Sequence, residues 1–550
     1  MLGRHVFLES LRLHNAKTIF GNPGTTETPL LDSLRDYPDI EYIVALQESV
    51  VVAAASHYAQ ASGLTAVVNM HVAPGLGNAI GMIYGALKAK SPLIVTAGAQ
   101  DTRLRLRDPL LGYDLVSMAQ PVVKWSVQVE HADEMGAIMQ RAFKIANEHP
   151  KGPVFVGLPI NVMEQETTLP ATRADEIIVA TKIPEDGLAK LAALIKQSEQ
   201  LGIIVGDDVA RSDGTQALIT LAEMTGAAVH NELLPGHISF PVHHPQYRGR
   251  LPADHGAIRA LLGRYDLVLM LGGPFFEEVW YSEESPFATD ASLVQIELST
   301  ATLAHNFPVN LGLAGDIGDA LQRLLDMDIA GEQHAASRTA LQALKSEEKE
   351  TAEERLQDLW DRVPMPPAQA IKVLAEALPE DVVVVDESIT AGAEVARNFR
   401  LAGPGDGYGG RGGGIGQGVS GALGVALAHP DRMVVAISGD GSAMYSIQSL
   451  WSAAHHQLNV LFVILSNREY RILKHNVEVY RQRFDVPSNN PYPHMDLSSP
   501  EMDFSQMATG MGVPAVQISQ PDEIEAAVQK ALASSGPYLI DMVVEGLETR

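Results

Sequence analysis

The chain has no cysteine among its 550 residues. That excludes disulfides, thiolate metal sites and thiol catalysis, and it favours the cytosol. No apolar run approaches the ~20 residues that a membrane-spanning helix needs. Residues 1–13 include Arg4, His5, Glu9 and Arg12 and lack the apolar core of a signal peptide, so a cytoplasmic protein is expected. Positive charge is scarce: 40 Lys and Arg stand against 67 Asp and Glu, a formal net charge of −27. Neither nucleic acid nor a membrane is an expected partner. An anionic small-molecule substrate is still compatible with this balance, because a local site can be positive. The length suits about three or four domains.

What is present is organised around residues 433–467. The apolar run Met433-Val434-Val435-Ala436-Ile437 predicts a buried strand, which ends in Ser438-Gly439-Asp440-Gly441-Ser442. Met444, Ile447, Leu450, Trp451 and Ala454 then recur at helical spacing. Residues 460–465 predict a second strand, ending at Ser466-Asn467. Strand, turn, helix and strand together predict a right-handed crossover within a parallel sheet. Asp440 and Asn467 would then stand at the C-terminal edge, where such sheets bind ligands. A carboxylate and an amide oxygen suit a hard divalent ion that also takes phosphate oxygens and water. Gly439 and Gly441 allow close approach to the backbone. Ser442 stands where a helix begins, with N–H groups that favour a phosphate. A Gly-Asp-Gly turn that merely starts a helix is the alternative, and the matching asparagine after the next strand favours the ion site.

The N-terminal third repeats the alternation, with strands expected at 17–20, 40–46, 64–70 and 92–97. The turn Gly21-Asn22-Pro23-Gly24-Thr25-Thr26-Glu27 follows the first and ends in a helix-capping residue. The second strand delivers Gln47 and Glu48, and Glu48 opens an Ala- and Val-rich helix to about residue 61. The third delivers His71, ahead of a glycine-rich turn, 73–79. Glu48 and His71 are thus expected at equivalent edges of neighbouring strands. Each has a plain structural alternative: a helix N-terminal acid and a satisfied imidazole. Residues 165–187 read as a linker. Strands at 201–206, 266–272 and 293–298 predict a central, nucleotide-binding-like domain, but no turn there carries Gly-x-Gly-x-x-Gly. Gly206-Asp207-Asp208 places acids where a pyrophosphate would sit, so this domain is expected to be structural. His243-His244 reads as a surface pair rather than a metal site. Residues 330–362 read as a solvated connecting helix. The C-terminal third opens with a strand at 382–385 leading to Asp386-Glu387-Ser388, and then the run Arg411-Gly412-Gly413-Gly414-Ile415-Gly416-Gln417-Gly418.

Gly439-Asp440-Gly441 followed by Asn467 resembles the thiamine-diphosphate motif. The likeness extends over nearly the whole chain, to the thiamine-diphosphate-dependent 2-oxo acid decarboxylases and their benzoylformate decarboxylase branch. It implies an α/β fold of three domains, each a mainly parallel sheet flanked by helices: a pyrimidine-binding domain over 1–165, a Rossmann-like central domain over 186–330 and a diphosphate- and metal-binding domain over 362–550. In this family a glutamate bonded to the aminopyrimidine favours the imino tautomer that takes the thiazolium C2 proton, and Glu48 matches it. His71, in Asn69-Met70-His71, matches the active-site histidine, an acid or base on the covalent adduct. Thr25 stands where the branch has a serine that contacts the substrate carboxylate. The cofactor would bend over Ile415, with close backbone contact at Gly413. Glu387, Ser388, Asp440, Gly441, Ser442, Asn467, Tyr470 and Ile472 complete the implied cofactor-binding set. The metal ligands would be Asp440, Asn467 and the backbone carbonyl of Glu469.

The implied cofactors are thiamine diphosphate and Mg2+, with Ca2+ able to take its place in crystals; the acids of the central domain argue against FAD. The active site would lie between subunits, which implies a homodimer or homotetramer. The expected reaction is non-oxidative decarboxylation of a 2-oxo acid to an aldehyde. The alternative is carboligation, an acyloin- or acetolactate-synthase-like formation or cleavage of a C–C bond through the same enamine. Several positions depart from the branch. Thr25 replaces the serine, adding a methyl and restricting χ1. Val279, in Gly273 to Tyr281, stands where a second active-site histidine is expected. Ile472 and Asn476 replace a smaller residue and an aromatic one, so the pocket need not fit a phenyl ring.

Overall fold

The computed structural model describes residues 1–174, 181–277 and 279–547, whose strands form three sheets. The first is built from Thr18–Asn22 (β1), Glu41–Val44 (β2), Ala66–Met70 (β3), Leu93–Ala99 (β4), Ser126–Gln128 (β5) and Val154–Pro159 (β6), in the order β2-β1-β3-β4-β6-β5. The second holds Leu201–Val205 (β7), Ala228–Asn231 (β8), Tyr247–Arg250 (β9), Leu267–Leu271 (β10), Ser292–Glu297 (β11) and Leu311–Ala314 (β12), in the order β12-β11-β10-β7-β8-β9. The third holds Val383–Glu387 (β13), Gly407–Gly409 (β14), Val434–Gly439 (β15), Val460–Ser466 (β16), Ala515–Ile518 (β17) and Tyr538–Val543 (β18), in the order β14-β13-β15-β16-β18-β17. Pairing is parallel, as between β15 and β16. Strands such as β3, β4 and β16 are buried along their whole length, which explains why they read as continuous apolar runs rather than alternating ones. No helix among the described residues is long and apolar enough to cross a membrane.

Met1–Ile177, Asp361–Asn398 and Gly409–Arg550 form one compact unit; Ile178–Trp360 and Phe399–Tyr408 form another. In the first unit, two helices rich in small residues press together: Glu48–Ser62 (α1) and Gln417–Ala428 (α4). A Cβ at Gly424 would lie 1.9 Å from the Ala54 carbonyl oxygen, and one at Gly421 would lie 2.6 Å from the His57 ring. The close approach therefore depends on glycine. The glycine run before α4 also meets the helix Val72–Lys88 (α2): a Cβ at Gly412 would touch Lys88 and Tyr84 at 3.2 Å. A third junction caps the outer edge of β2, where the Val44 N–H donates to His456 Nε2 at 2.9 Å. In the second unit the long helix Gln333–Leu359 (α3) is exposed along most of its length, as its charge pattern requires.

The start of α4 is fixed by an acid. Glu387, at the end of β13, accepts the N–H groups of Gly416, Gln417 and Gly418 at 2.9–3.0 Å. These are unpaired donors of a helix N-terminus, where a carboxylate is favoured. Burial nevertheless pushes the Glu387 carboxyl up to about 7, because desolvation outweighs the three hydrogen bonds.

The structure departs from the sequence reading in two places. The apolar spacing from Met444 to Ala454 suggests one helix, but the segment forms Asp440–Ala443 (α5), a turn, and Ser449–His455 (α6), leaving Met444 and Tyr445 exposed. The spacing of apolar residues does not mark the turn at 444–448 that divides the two helices. The strands leading to Glu48 and His71 are not neighbours, since β1 lies between β2 and β3. Strand order is a tertiary property that local pattern does not encode. Residues 175–180 of the expected linker, and Glu278, lie outside the described residues.

Two outcomes are expected. Gly424→Ala should destabilise the fold by about 1–3 kcal/mol, because backbone must move to admit the methyl; urea unfolding measures this. Glu387 holds its proton more tightly folded than unfolded, so its contribution to stability falls as pH rises from 4.5 to about 7. Glu387→Gln should therefore make the decline in melting temperature across that window shallower by about one proton's worth, read on cofactor-free protein.

Candidate active site

The C-terminal edge of the first sheet carries two groups of polar side chains. Glu48 is the first residue of α1 and is only 8% exposed. Gln47 caps the helix, its Oε1 accepting the Ser49 and Val50 N–H groups. The strand itself ends at Val44, so three residues separate it from Glu48. The carboxylate is held at both oxygens: Asn22, at the end of β1, donates to Oε1 at 3.2 Å, and Asn78, on α2, donates to Oε2 at 3.0 Å.

His71 directly follows β3 and stands at the N-terminal boundary of α2. Its Nδ1 lies 2.8 Å from Glu27 Oε2. Glu27 is 3% exposed and is saturated with donors. Oε2 also accepts the Gly24 N–H at 2.9 Å, and Oε1 accepts the Gly98 N–H and the Thr26 hydroxyl, each at 2.8 Å. This arrangement assigns the Nδ1 proton to the Glu27 side and leaves Nε2 for other work. Glycine is required at the contacts, since a Cβ at Gly98 would lie 2.0 Å from Glu27 Oε1 and one at Gly24 would lie 2.3 Å from the His71 ring. Val72, directly after His71, is buried at a φ of 42°, an unfavourable conformation for a β-branched residue. Thr25 lies exposed in the same turn, while Thr26 points inward.

The third sheet supplies a separate group. Asp440 opens α5 and is 3% exposed. Its oxygens accept the Gly441 N–H at 2.7 Å and the Arg468 N–H at 2.6 Å. Burial pushes its carboxyl up to about 6, and the nearby Asp541 and Glu469 add to the rise. Asn467 Oδ1 accepts the Glu469 N–H at 3.1 Å, and Arg468 between them has a φ of 59°. The Tyr470 ring packs on Gly441, where a Cβ would lie 2.5 Å from it. Gly413 is exposed at a φ of 72°, with no atom within 4 Å of where its Cβ would be. Ile415, Ser442 and Ile472 are half-buried. Ser388 donates to Asp386 at 2.6 Å.

This donor set fits a divalent ion and a diphosphate. Asp440 is a desolvated carboxylate with acidic neighbours, an imbalance that a cation removes. Its companions are an amide oxygen and a backbone carbonyl, hard oxygen donors of the kind Mg2+ takes with phosphate. No group of three or more His, Asp or Glu among the described residues is placed to hold a metal instead. In the central domain Asp207 accepts the Gly236 and His237 N–H groups, and Arg211 pairs with Asp207 and Asp208, so the acids at that sheet's edge serve internal bonds. Val279 is 70% exposed there.

Sequence reasoning reaches Glu48, His71, Asp440 and Asn467 but misses Glu27, Asn22, Asn78 and Gly98. Glu27 reads as a cap in a polar turn. Its one distinguishing signal is the pair of glycines, Gly24 and Gly98, that meet it only in three dimensions.

Comparison with known proteins agrees with this architecture. Residues 1–118 match the N-terminal TPP binding domain of the thiamine pyrophosphate enzymes, residues 188–324 the central domain, and residues 391–542 the C-terminal TPP binding domain. The chain is 32% identical to a benzoylformate decarboxylase of Pseudomonas aeruginosa over 98% of each chain. It is 28% identical to an acetolactate synthase large subunit of Parasynechococcus marenigrum, over 98% of this chain and 87% of the other. A thiamine diphosphate-dependent 4-hydroxybenzoylformate decarboxylase of Rhodococcus jostii superposes with a TM-score of 0.87 over the whole of both chains, at 27% identity. The chain belongs to the thiamine pyrophosphate-dependent enzymes, with the family's N-terminal, central and C-terminal domains in order.

Proposed function

We propose that this thiamine-diphosphate-dependent enzyme decarboxylates a 2-oxo acid non-oxidatively and releases the corresponding aldehyde. The observation that carries the reading is the His71–Glu27 pair, a histidine held on a buried, donor-saturated carboxylate at a parallel-sheet edge. The reaction breaks the bond between the oxo carbon and the carboxylate, and the carbon that keeps the electron pair must then gain a proton. His71 is the group to deliver it from Nε2 while Glu27 holds Nδ1. Thiamine diphosphate, when bound, supplies the electron sink for that pair. Glu48 would meet its aminopyrimidine, with Asn22 and Asn78 holding both carboxyl oxygens in place. Asp440, Asn467 and the Glu469 carbonyl would hold Mg2+, and Gly441 and Ser442 would offer N–H groups to the diphosphate. Glu387 would serve the site indirectly, by fixing the glycine run that presents Gly413 and Ile415. Thr25 would contact the substrate carboxylate. The active form would be a cytoplasmic homodimer or homotetramer with sites shared between subunits.

Carboligation is the second reading, supported by the full-length likeness to acetolactate synthases. It uses the same residues and differs in what meets the carbon: a proton, or a second carbonyl compound. Incubating holoenzyme with pyruvate, benzoylformate and branched 2-oxo acids separates the two. Aldehyde as the main product is expected. Acyloin or acetolactate-type products would favour ligation, and no carbon dioxide from any acid would remove both.

Three variants test the roles. Glu48→Gln should bind thiamine diphosphate normally yet slow exchange of its C2 proton by about a hundredfold or more, followed by NMR in deuterated water. Glu27→Gln and Gly98→Ala should each lower kcat by about a hundredfold with little effect on cofactor binding. Wild-type turnover in both would remove the His71–Glu27 pair from the mechanism.

A further inference from the structure

We propose that Glu469, Lys474 and the C-terminal segment 544–547 form a latch that holds the turn 467–470 in the shape a divalent ion requires. The inference rests on the assignment of the ion to Asp440, Asn467 and the Glu469 carbonyl. It concerns a different part of each residue: the side chain of Glu469, not its carbonyl, and a lysine that touches no cofactor.

The turn is strained. Arg468 sits at a φ of 59°, where side-chain-bearing residues are disfavoured. Inside the turn, the Asn467 amide oxygen accepts the Glu469 N–H. External contacts brace it. On one side, the Tyr470 N–H donates to Met495 O and the Leu497 N–H donates to Arg468 O, each at 2.8 Å. On the other, the segment that follows β18 is tied down beside β16: the Val544 N–H donates to Ser466 O at 3.1 Å, and Arg471 Nη1 donates to Glu545 O at 3.2 Å. Gly546 passes directly over the turn. A Cβ there would lie 3.1 Å from the Glu469 carboxyl carbon and 3.3 Å from Asn467 O.

Glu469 joins these supports. Its Oε1 accepts the Leu547 N–H at 2.5 Å, and its Oε2 is ion-paired with Lys474. Both partners are nearly desolvated, Glu469 7% and Lys474 8% exposed. Among the described residues of Arg471–Arg483 (α7), Lys474 alone is buried. The helix is therefore anchored at this point by a charge, not an apolar face. A desolvated ion pair is a poor source of net stability, since desolvation offsets most of the attraction. What it supplies is direction. With both oxygens committed, the Glu469 side chain is fixed, and with it the peptide that carries the carbonyl ligand. Groups that orient metal ligands in this way govern affinity without touching the ion.

The test uses full-length enzyme stripped of metal, with MgCl2 titrated calorimetrically in the presence of excess thiamine diphosphate. Lys474→Met, and a chain ending at Gly546, should each weaken Mg2+ binding about tenfold or more. Lys474→Arg should restore it. Lys474→Met also strands a buried carboxylate, so a loss of folding stability could mimic the effect. The double variant Glu469→Gln/Lys474→Met resolves this: the latch requires its melting temperature to recover while Mg2+ binding stays weak. Recovery of both, or wild-type affinity in Lys474→Met and the truncated chain, overturns the latch. Asp440→Ala, run alongside, should show no Mg2+ binding; wild-type binding there overturns the ion assignment itself.

Discussion

Everything at the candidate site depends on carboxylates taken out of water, and on what is set opposite each of them. Burying an ionised group without compensation is prohibitive, so its partners reveal its use. Glu27 receives two backbone N–H groups, a hydroxyl and the His71 ring, a complete set that fixes its carboxyl group beneath an imidazole. Glu387 receives three N–H groups from a helix start, a structural use. Glu48 is bound by two side-chain amides that orient the carboxyl and bring no opposing charge. Asp440 has two backbone donors, acidic neighbours and a carboxyl pushed up to about 6. Two hydrogen bonds set against acidic neighbours, at the edge where the family resemblance places a divalent ion, suit it to a cation.

The parallel topology explains why these groups gather at strand ends. Side chains within the buried strands are mostly apolar, so polar groups open to a ligand gather in the turns at the edge. Those turns are strained in the same way. Val72 follows His71, Ile389 follows Ser388 and Arg468 follows Asn467, and each has a positive φ between 42° and 59°. Such conformations persist only where surrounding contacts impose them.

The sequence makes the strands legible because full burial demands uninterrupted apolar runs, such as 433–437 and 460–465. It makes Asp440 and Asn467 legible because the crossover fixes their relation: two parallel neighbours, each ending at the same edge. It does not reveal the order of β2, β1 and β3, which is set by packing between distant segments. For that reason Glu48 and His71 read as adjacent, whereas β1 intervenes and brings Asn22 to Glu48. Glu27 is hidden for a related reason. A glutamate ending a Gly-Thr-Thr turn has the pattern of a surface cap, and only the Gly98 N–H, from β4, shows that it is a buried anchor.

The positions that the family resemblance assigns to the substrate are held differently from the buried acids and the histidine at the sheet edges. Glu48, His71, Glu27 and Asp440 are held by helix starts, strand ends and several hydrogen bonds each. Thr25 and Val279 lie exposed on turns, and Ile472 and Asn476 lie on α7, whose described residues bury only Lys474. Positions with so few restraints change at little cost to the fold, whereas a Cβ at Gly98 would collide with Glu27 outright. One scaffold can therefore keep its proton-handling residues while the acid it accepts, and the partner that meets the product carbon, vary. This is why full-length likeness to both decarboxylases and acetolactate synthases is physically coherent.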